Sequence, residues 1–139
     1  KKVLVFVPFK NAIELLVDRL TKDKITAEVI RGDVSAPKRT DIFKRFQTMD
    51  NPQVLVVQPQ AAAHGVTLTA ANTVVWWGPT SSLETYSQAN ARVHRSGQDH
   101  KCTVVQLQSS AVEKRIYSLL DNRINIHAKI VDLYKDLLD

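Results

Sequence analysis

Cysteine is nearly missing from this chain: Cys102 is the only one in 139 residues, which excludes an intramolecular disulfide and a multi-cysteine zinc site. His64, His94, His100 and His127 stand without metal-ligand spacing, so no metal centre is expected. No apolar run approaches the roughly 20 residues of a membrane span, and the amino end carries no signal-peptide pattern. A reducing, aqueous compartment is the simplest inference. No G-x-G-x-x-G follows a strand, which argues against a dinucleotide-binding domain, and no G-x-x-x-x-G-K-[ST] loop is present to cradle phosphates. Neither does an acidic pair follow a strand in a way that suits magnesium. Internal repeats, low-complexity linkers and a basic tail are absent as well.

What remains is the composition of an ordinary folded domain, with 44% hydrophobic and 24% charged residues. A length of 139 residues fits one domain, long enough to bury a substantial core without a metal or disulfides. The net charge of +5 and pI near 9.5 permit contact with a polyanion but locate no patch.

Short apolar runs alternate with amphipathic stretches along the chain. Residues 3–7, 27–30, 54–57, 73–77 and 102–107 read as strands, the last with Cys102 buried in it. The first helix is expected to open on a capping box at Asn11 and Glu14 and to turn Ile13, Leu15, Leu16, Val17 and Leu20 inward, ending near Asp23. Ser35 with Pro37 starts a second helix holding Ile42, Phe43 and Phe46. Ser81 and Glu84 form a capping box for a third, and Ser110 and Glu113 for a last helical region carrying Val112, Ile116, Leu119, Leu120, Ile130, Leu133 and Leu137, divided near residues 122–125. Trp76 and Trp77 read as strand residues on opposite sheet faces. This alternation implies an α/β domain with a mainly parallel sheet and helices on both faces. Ligands of such sheets bind beyond the carboxyl ends of the strands, so the loops after Val7, Ile30, Val57 and Trp77 are expected to carry function.

The third helix is expected to run into Gln88-Ala-Asn-Ala-Arg92-Val-His-Arg95-Ser-Gly-Gln98. Residues three apart share a helix face, so Arg92 and Arg95 would point at one target, and planar guanidiniums suit phosphate oxygens. On residue type alone, the pair reads more readily as solvated surface charges. The stretch 61–65, rich in small residues and ending in Gly65, allows close backbone approach or tight packing. Lys10 and Asn11 open the first helix, where free amides favour phosphate.

The run 88–98 resembles the last helicase motif of the SNF2 family of DNA-dependent ATPases, Q-A-x-x-R-x-H-R-x-G-Q, at seven fixed positions within eleven residues. Arg31-Gly-Asp33 with Ser35, Arg39, Ile42 and Phe46 resembles the family's G-x-x-x-x-x-x-R-x-x-x-I-x-x-F segment. Gln60 to Asn72 resembles its motif V, usually K-A-G-G-x-G-I-N-L-T-A-A, with Ala62 and Ala63 in place of the paired glycines and Thr67 in place of the asparagine. After Trp77 the chain reads Gly78-Pro-Thr where many members have Asp-x-x-Trp-Asn-Pro. These departures and the compact form resemble bacterial or bacteriophage members more than eukaryotic remodelers.

The resemblance implies a RecA-like three-layer α/β/α fold with a C-terminal helical segment, spanning residues 1–139 as one helicase C-terminal domain. It implies an ATP site shared with a preceding N-terminal lobe, which would hold ATP and Mg²⁺ for the most part, and Lys1 close before the first strand fits a lobe cut from a longer polypeptide. Arg92 and Arg95 would be arginine fingers, with Gln88, Gly65, Thr67 and Gln98 as nucleotide-side or supporting residues. Lys10, Asn11, Gln58, Gln60 and Arg31 are the candidates for contact with the backbone of double-stranded DNA. Such a lobe is expected to be inactive alone, monomeric, and cytoplasmic in a bacterial or phage-infected cell or nuclear in a eukaryote. A strand-separating superfamily 2 helicase and a non-catalytic RecA-like binding or regulatory module are the alternatives.

Overall fold

The computed structural model describes residues 2–62, 66–95 and 97–123. The elements run β1 (Lys2–Phe6), α1 (Lys10–Lys22), β2 (Ala27–Ile30), α2 (Ala36–Thr48), β3 (Val54–Val57), a 3-10 turn (Pro59–Ala62), β4 (Ala71–Trp76), α3 (Leu83–Asn90), β5 (Thr103–Gln106) and α4 (Ala111–Asp121). Among the described residues the strands form one parallel sheet in the order β2-β3-β1-β4-β5. Val5 of β1 pairs with Val56 on one side and Val75 on the other, and all four residues of β3 are buried. That is why these runs read as continuously apolar.

Period-two alternation sorts the side chains into two layers. Leu4, Phe6, Leu55, Val57, Val74 and Trp76 meet α2, α3 and α4 through Ile42, Phe46, Tyr86, Ile116, Tyr117 and Leu120. Val5, Val7, Val54 and Val56 meet α1 through Ile13, with Leu16, Val17 and Leu20 packed alongside. The result is the expected three-layer arrangement. At its centre Trp76 stacks at a tilt 4.7 Å from Phe6 and 4.9 Å from Tyr86, each pair contributing about 0.5–1.5 kcal/mol beyond burial. The indole N–H of Trp76 donates to Asn90 Oδ1 at 2.9 Å, which satisfies the buried ring and anchors the end of α3 to β4.

Local corrections have physical causes. Helix α1 opens at Lys10 with Phe9 as N-cap and no side-chain cap, so Asn11 and Glu14 do not form the expected box. Val7 N–H still donates to Val57 O at 3.0 Å, and only Pro8 and Phe9 separate it from a first turn closed by Ile13 N–H to Phe9 O. Leu15 is 72% exposed, because Ile13, Leu16, Val17 and Leu20 at i, i+3, i+4 and i+7 complete the inward stripe without it. Ser82, not Ser81, caps α3 by accepting Thr85 N–H at 3.1 Å. Ser35 and Ser110 cap α2 and α4 as expected, though Glu113 turns to Ser109 instead of back to Ser110. Cys102 lies just before β5, half-buried, since the edge strand is covered less than its neighbours and Val104 and Val105 stand exposed. Trp76 closes β4 and is sealed, whereas Trp77, expected in the strand, lies just past its end and is 40% exposed. Helix α4 stops at Asp121, where a division was expected; Ile130, Leu133 and Leu137 lie outside the described residues.

Candidate functional site

Helix α3 stops at Asn90, with Ala91 as its C-cap. Arg92 and Arg95 therefore lie in the turn beyond it, and the shared helix face expected of them does not exist. Local turn bonds, Val93 N–H to Asn90 O and Arg92 N–H to Ala89 O, replace the helical ladder. Arg92 folds back, its Nε donating to Gln88 O at 2.8 Å, which satisfies a carbonyl near the helix end. The residue is only 9% exposed, and its Nη1 is buried without an acceptor among the described residues. Burial first, and the Arg95 charge second, lower the Arg92 pKa from the ordinary guanidinium value. Arg95 is exposed, and its Nη1 donates to Val66 O at 3.2 Å. Arg92 through its backbone carbonyl and Arg95 through its guanidinium thus meet one stretch of chain.

That stretch is residues 66–71, leading into β4. Leu68 N–H donates to Arg92 O at 2.8 Å. Gln98 Nε2 lies 3.3, 2.8 and 3.1 Å from the carbonyl oxygens of Thr69, Ala71 and Val93, while its Oε1 accepts His100 N–H. One carboxamide so joins the arginine turn to the entry of β4. Thr67 is exposed beside these bonds, and Gly65 lies outside the described residues. Gln88 contributes its backbone oxygen to Arg92, and its side chain donates to Glu84 on the surface. Because Ala71 is the first residue of β4, this cluster reaches the amino end of that strand.

The second group does occupy the carboxyl edge. Lys10 and Asn11 stand exposed in the first turn of α1, and Gln60 is exposed in the 3-10 turn after β3. Arg31, directly after β2, is half-buried, its Nε 3.6 Å from Asp33 Oδ1. Gln58 is turned inward to its neighbour: its Oε1 accepts Gly32 N–H at 3.1 Å, tying the β3 exit to the β2 exit. Its amide nitrogen is the part left to meet another acceptor.

Sequence reasoning missed two residues. Arg39 donates from Nη2 to Val34 O at 3.3 Å, while its Nε is buried with no acceptor among the described residues. It lines a cavity of about 270 Å³ with Ala61 and Val66; its place in the R-x-x-x-I-x-x-F pattern was the available signal. Gln47 on α2 accepts Ala70 N–H, and no motif pointed to it. No group of three or more His, Cys, Asp or Glu residues able to hold a metal ion occurs among the described residues.

A five-stranded parallel sheet with helices on both faces defines the class as a RecA-like α/β/α lobe. The model of the helicase conserved C-terminal domain matches residues 1–97, and the chain belongs to this family. It is similar to the CHD3-type chromatin-remodeling factor CHR7 of Arabidopsis thaliana, 31% identical over 147 residues, covering 99% of this chain and 12% of that protein. It is likewise similar to the uncharacterized ATP-dependent helicase MG018 of Mycoplasma genitalium, 28% identical over 99% of this chain and 14% of that protein. The chain thus spans about an eighth of these curated relatives. The crystal structure of the C-terminal part of the Fun30 ATPase domain superposes with a TM-score of 0.79 at 22% identity, covering 86% of this chain and 39% of that one.

Proposed function

We propose that this chain is the second motor lobe of a DNA-stimulated ATPase that translocates along duplex DNA, and that it completes an ATP site formed with an N-terminal lobe of the same polypeptide. The observation that carries this reading is the Arg92 guanidinium: nine-tenths buried, with Nη1 lacking an acceptor among the described residues, and within electrostatic reach of Arg95. A buried donor without a partner is costly, and an anionic oxygen arriving from outside the lobe would satisfy it. A phosphate oxygen has the right charge and geometry for a guanidinium. ATP and Mg²⁺ would be held mainly by the N-terminal lobe, where the ion would neutralise phosphate charge. Arg92 and Arg95 supply the remaining positive charge from across the cleft as it develops on the transferring phosphoryl group.

The carboxyl edge serves the other half of the cycle. Lys10, Asn11, Gln60, Arg31 and the free amide of Gln58 meet the DNA backbone, a sequence-independent and salt-sensitive contact. Lobe closure on ATP brings in the arginines, and opening after hydrolysis withdraws them, so one DNA grip shifts relative to the other. The test substitutes Arg95→Ala in the full-length protein and measures DNA-stimulated ATP turnover. Loss of about 10³-fold or more is expected from a finger of this kind; unchanged turnover would refute the assignment.

A further inference from the structure

Gln47 lies one residue before the end of α2, half-buried, and none of the motifs accounts for it. Its Oε1 accepts the Ala70 N–H at 2.6 Å, and its Nε2 donates to Thr69 Oγ1 at 3.3 Å. Gln98 grips the same turn through the carbonyls of Thr69 and Ala71. Two carboxamides, one from α2 and one from the arginine turn, therefore close on residues 69–71. A carboxamide that accepts with one end and donates with the other fixes the orientation of what it holds. The held turn directly adjoins Leu68, whose N–H meets Arg92 O, and Val66, whose carbonyl takes Arg95.

We propose that Gln47 is a positioning residue for the arginine pair, tying the end of α2 to the turn on which Arg92 and Arg95 are seated. Helix α2 begins just past Arg31 at the carboxyl edge and ends at this mounting, so one rigid element joins the two candidate contact regions. The catalytic consequence rests on the finger reading above, whereas the positioning itself does not.

The test uses the full-length two-lobe protein with Gln47→Met, which keeps the shape and removes both bonds, and Gln47→Glu, which keeps an acceptor for Ala70 N–H and for the Thr69 hydroxyl. Amide hydrogen exchange is followed in peptides covering residues 66–71 and 89–95, alongside kcat and KM for ATP at saturating DNA. In Gln47→Met, exchange in both peptides is expected to rise about threefold to tenfold, the range of one lost hydrogen bond. A matching fall in kcat is expected with KM moved by less than about twofold, and Gln47→Glu should recover most of both. Unchanged exchange in 89–95 overturns the proposal, as does loosened exchange with full turnover in a protein that Arg95→Ala inactivates. If Arg95→Ala leaves turnover intact while Gln47→Met still loosens 89–95, the finger reading has failed and the positioning stands.

Discussion

Arg92 and Lys10 are both cations of the proposed motor, yet Arg92 is 9% exposed and bonded to the end of its own helix, while Lys10 stands in solvent at the first turn of α1. Around Arg92 the chain is stitched tightly through Leu68, Gln98 and Val93; around Lys10 and Gln60 the side chains have room to move. The difference is physical. A buried guanidinium carries a desolvation cost that only a close, well-placed acceptor offsets, so it suits a single phosphate in a fixed position. Exposed cations contribute through a screened field that tolerates many geometries, which suits a backbone sliding past.

The largest expected break in this comparison comes from Arg92→Lys in the full-length protein. A lysine keeps the charge but lacks the planar fork, and misplacing charge at a reacting centre costs about 10²-fold; stopped-time ATP assays would register the fall in kcat. Were turnover to hold, the buried geometry would not matter and the contrast with Lys10 would collapse. Stability offers a second, smaller measure. Gln98→Ala removes the side-chain donor to the carbonyls of Thr69 and Ala71, while that of Val93 keeps Arg95 N–H, and is expected to lower unfolding free energy by about 1–3 kcal/mol, whereas Gln60→Ala should stay within about 0.5 kcal/mol; denaturant titration of both variants compares the regions directly. The smallest effect sharpens the edge assignment: Lys10→Ala should reduce the slope of log DNA affinity against log salt by about one, and an unaltered slope would remove Lys10 from the interface.

Much of the fold was legible because β-branched runs and helical stripes have few alternatives. The strands Ala27–Ile30 and Val54–Val57 fall where alternation placed them. Errors gathered where several local choices have nearly equal energy. Ser81 and Ser82 are equally good caps by type, and only the draw of Thr80 Oγ1 on Ser82 N–H at 3.3 Å and the tertiary course of the chain distinguish them. Leu15 is apolar but falls between two inward positions, and pattern reading counted it by type. For the site, the order of motif residues was legible while their posture was not. Spacing put Arg92 and Arg95 on one face, but spacing holds only while the helix continues, and α3 ends two residues before the first of them. Gln47 was invisible because a glutamine on an amphipathic helix looks like any solvated residue until its partner, 23 residues further on, is known.

The stretch 66–71 has one more consequence. Val66, Leu68, Thr69, Ala70 and Ala71 are each bonded sideways to the arginine turn or to Gln47, and Ala71 then runs directly into a strand locked between β1 and β5. In mechanical terms this is a tie rod, braced at successive points and joined at one end to the central sheet. A displacement applied at either bracket would then be passed along the rod, the property that the proposed motor needs in the part between its grip and its trigger.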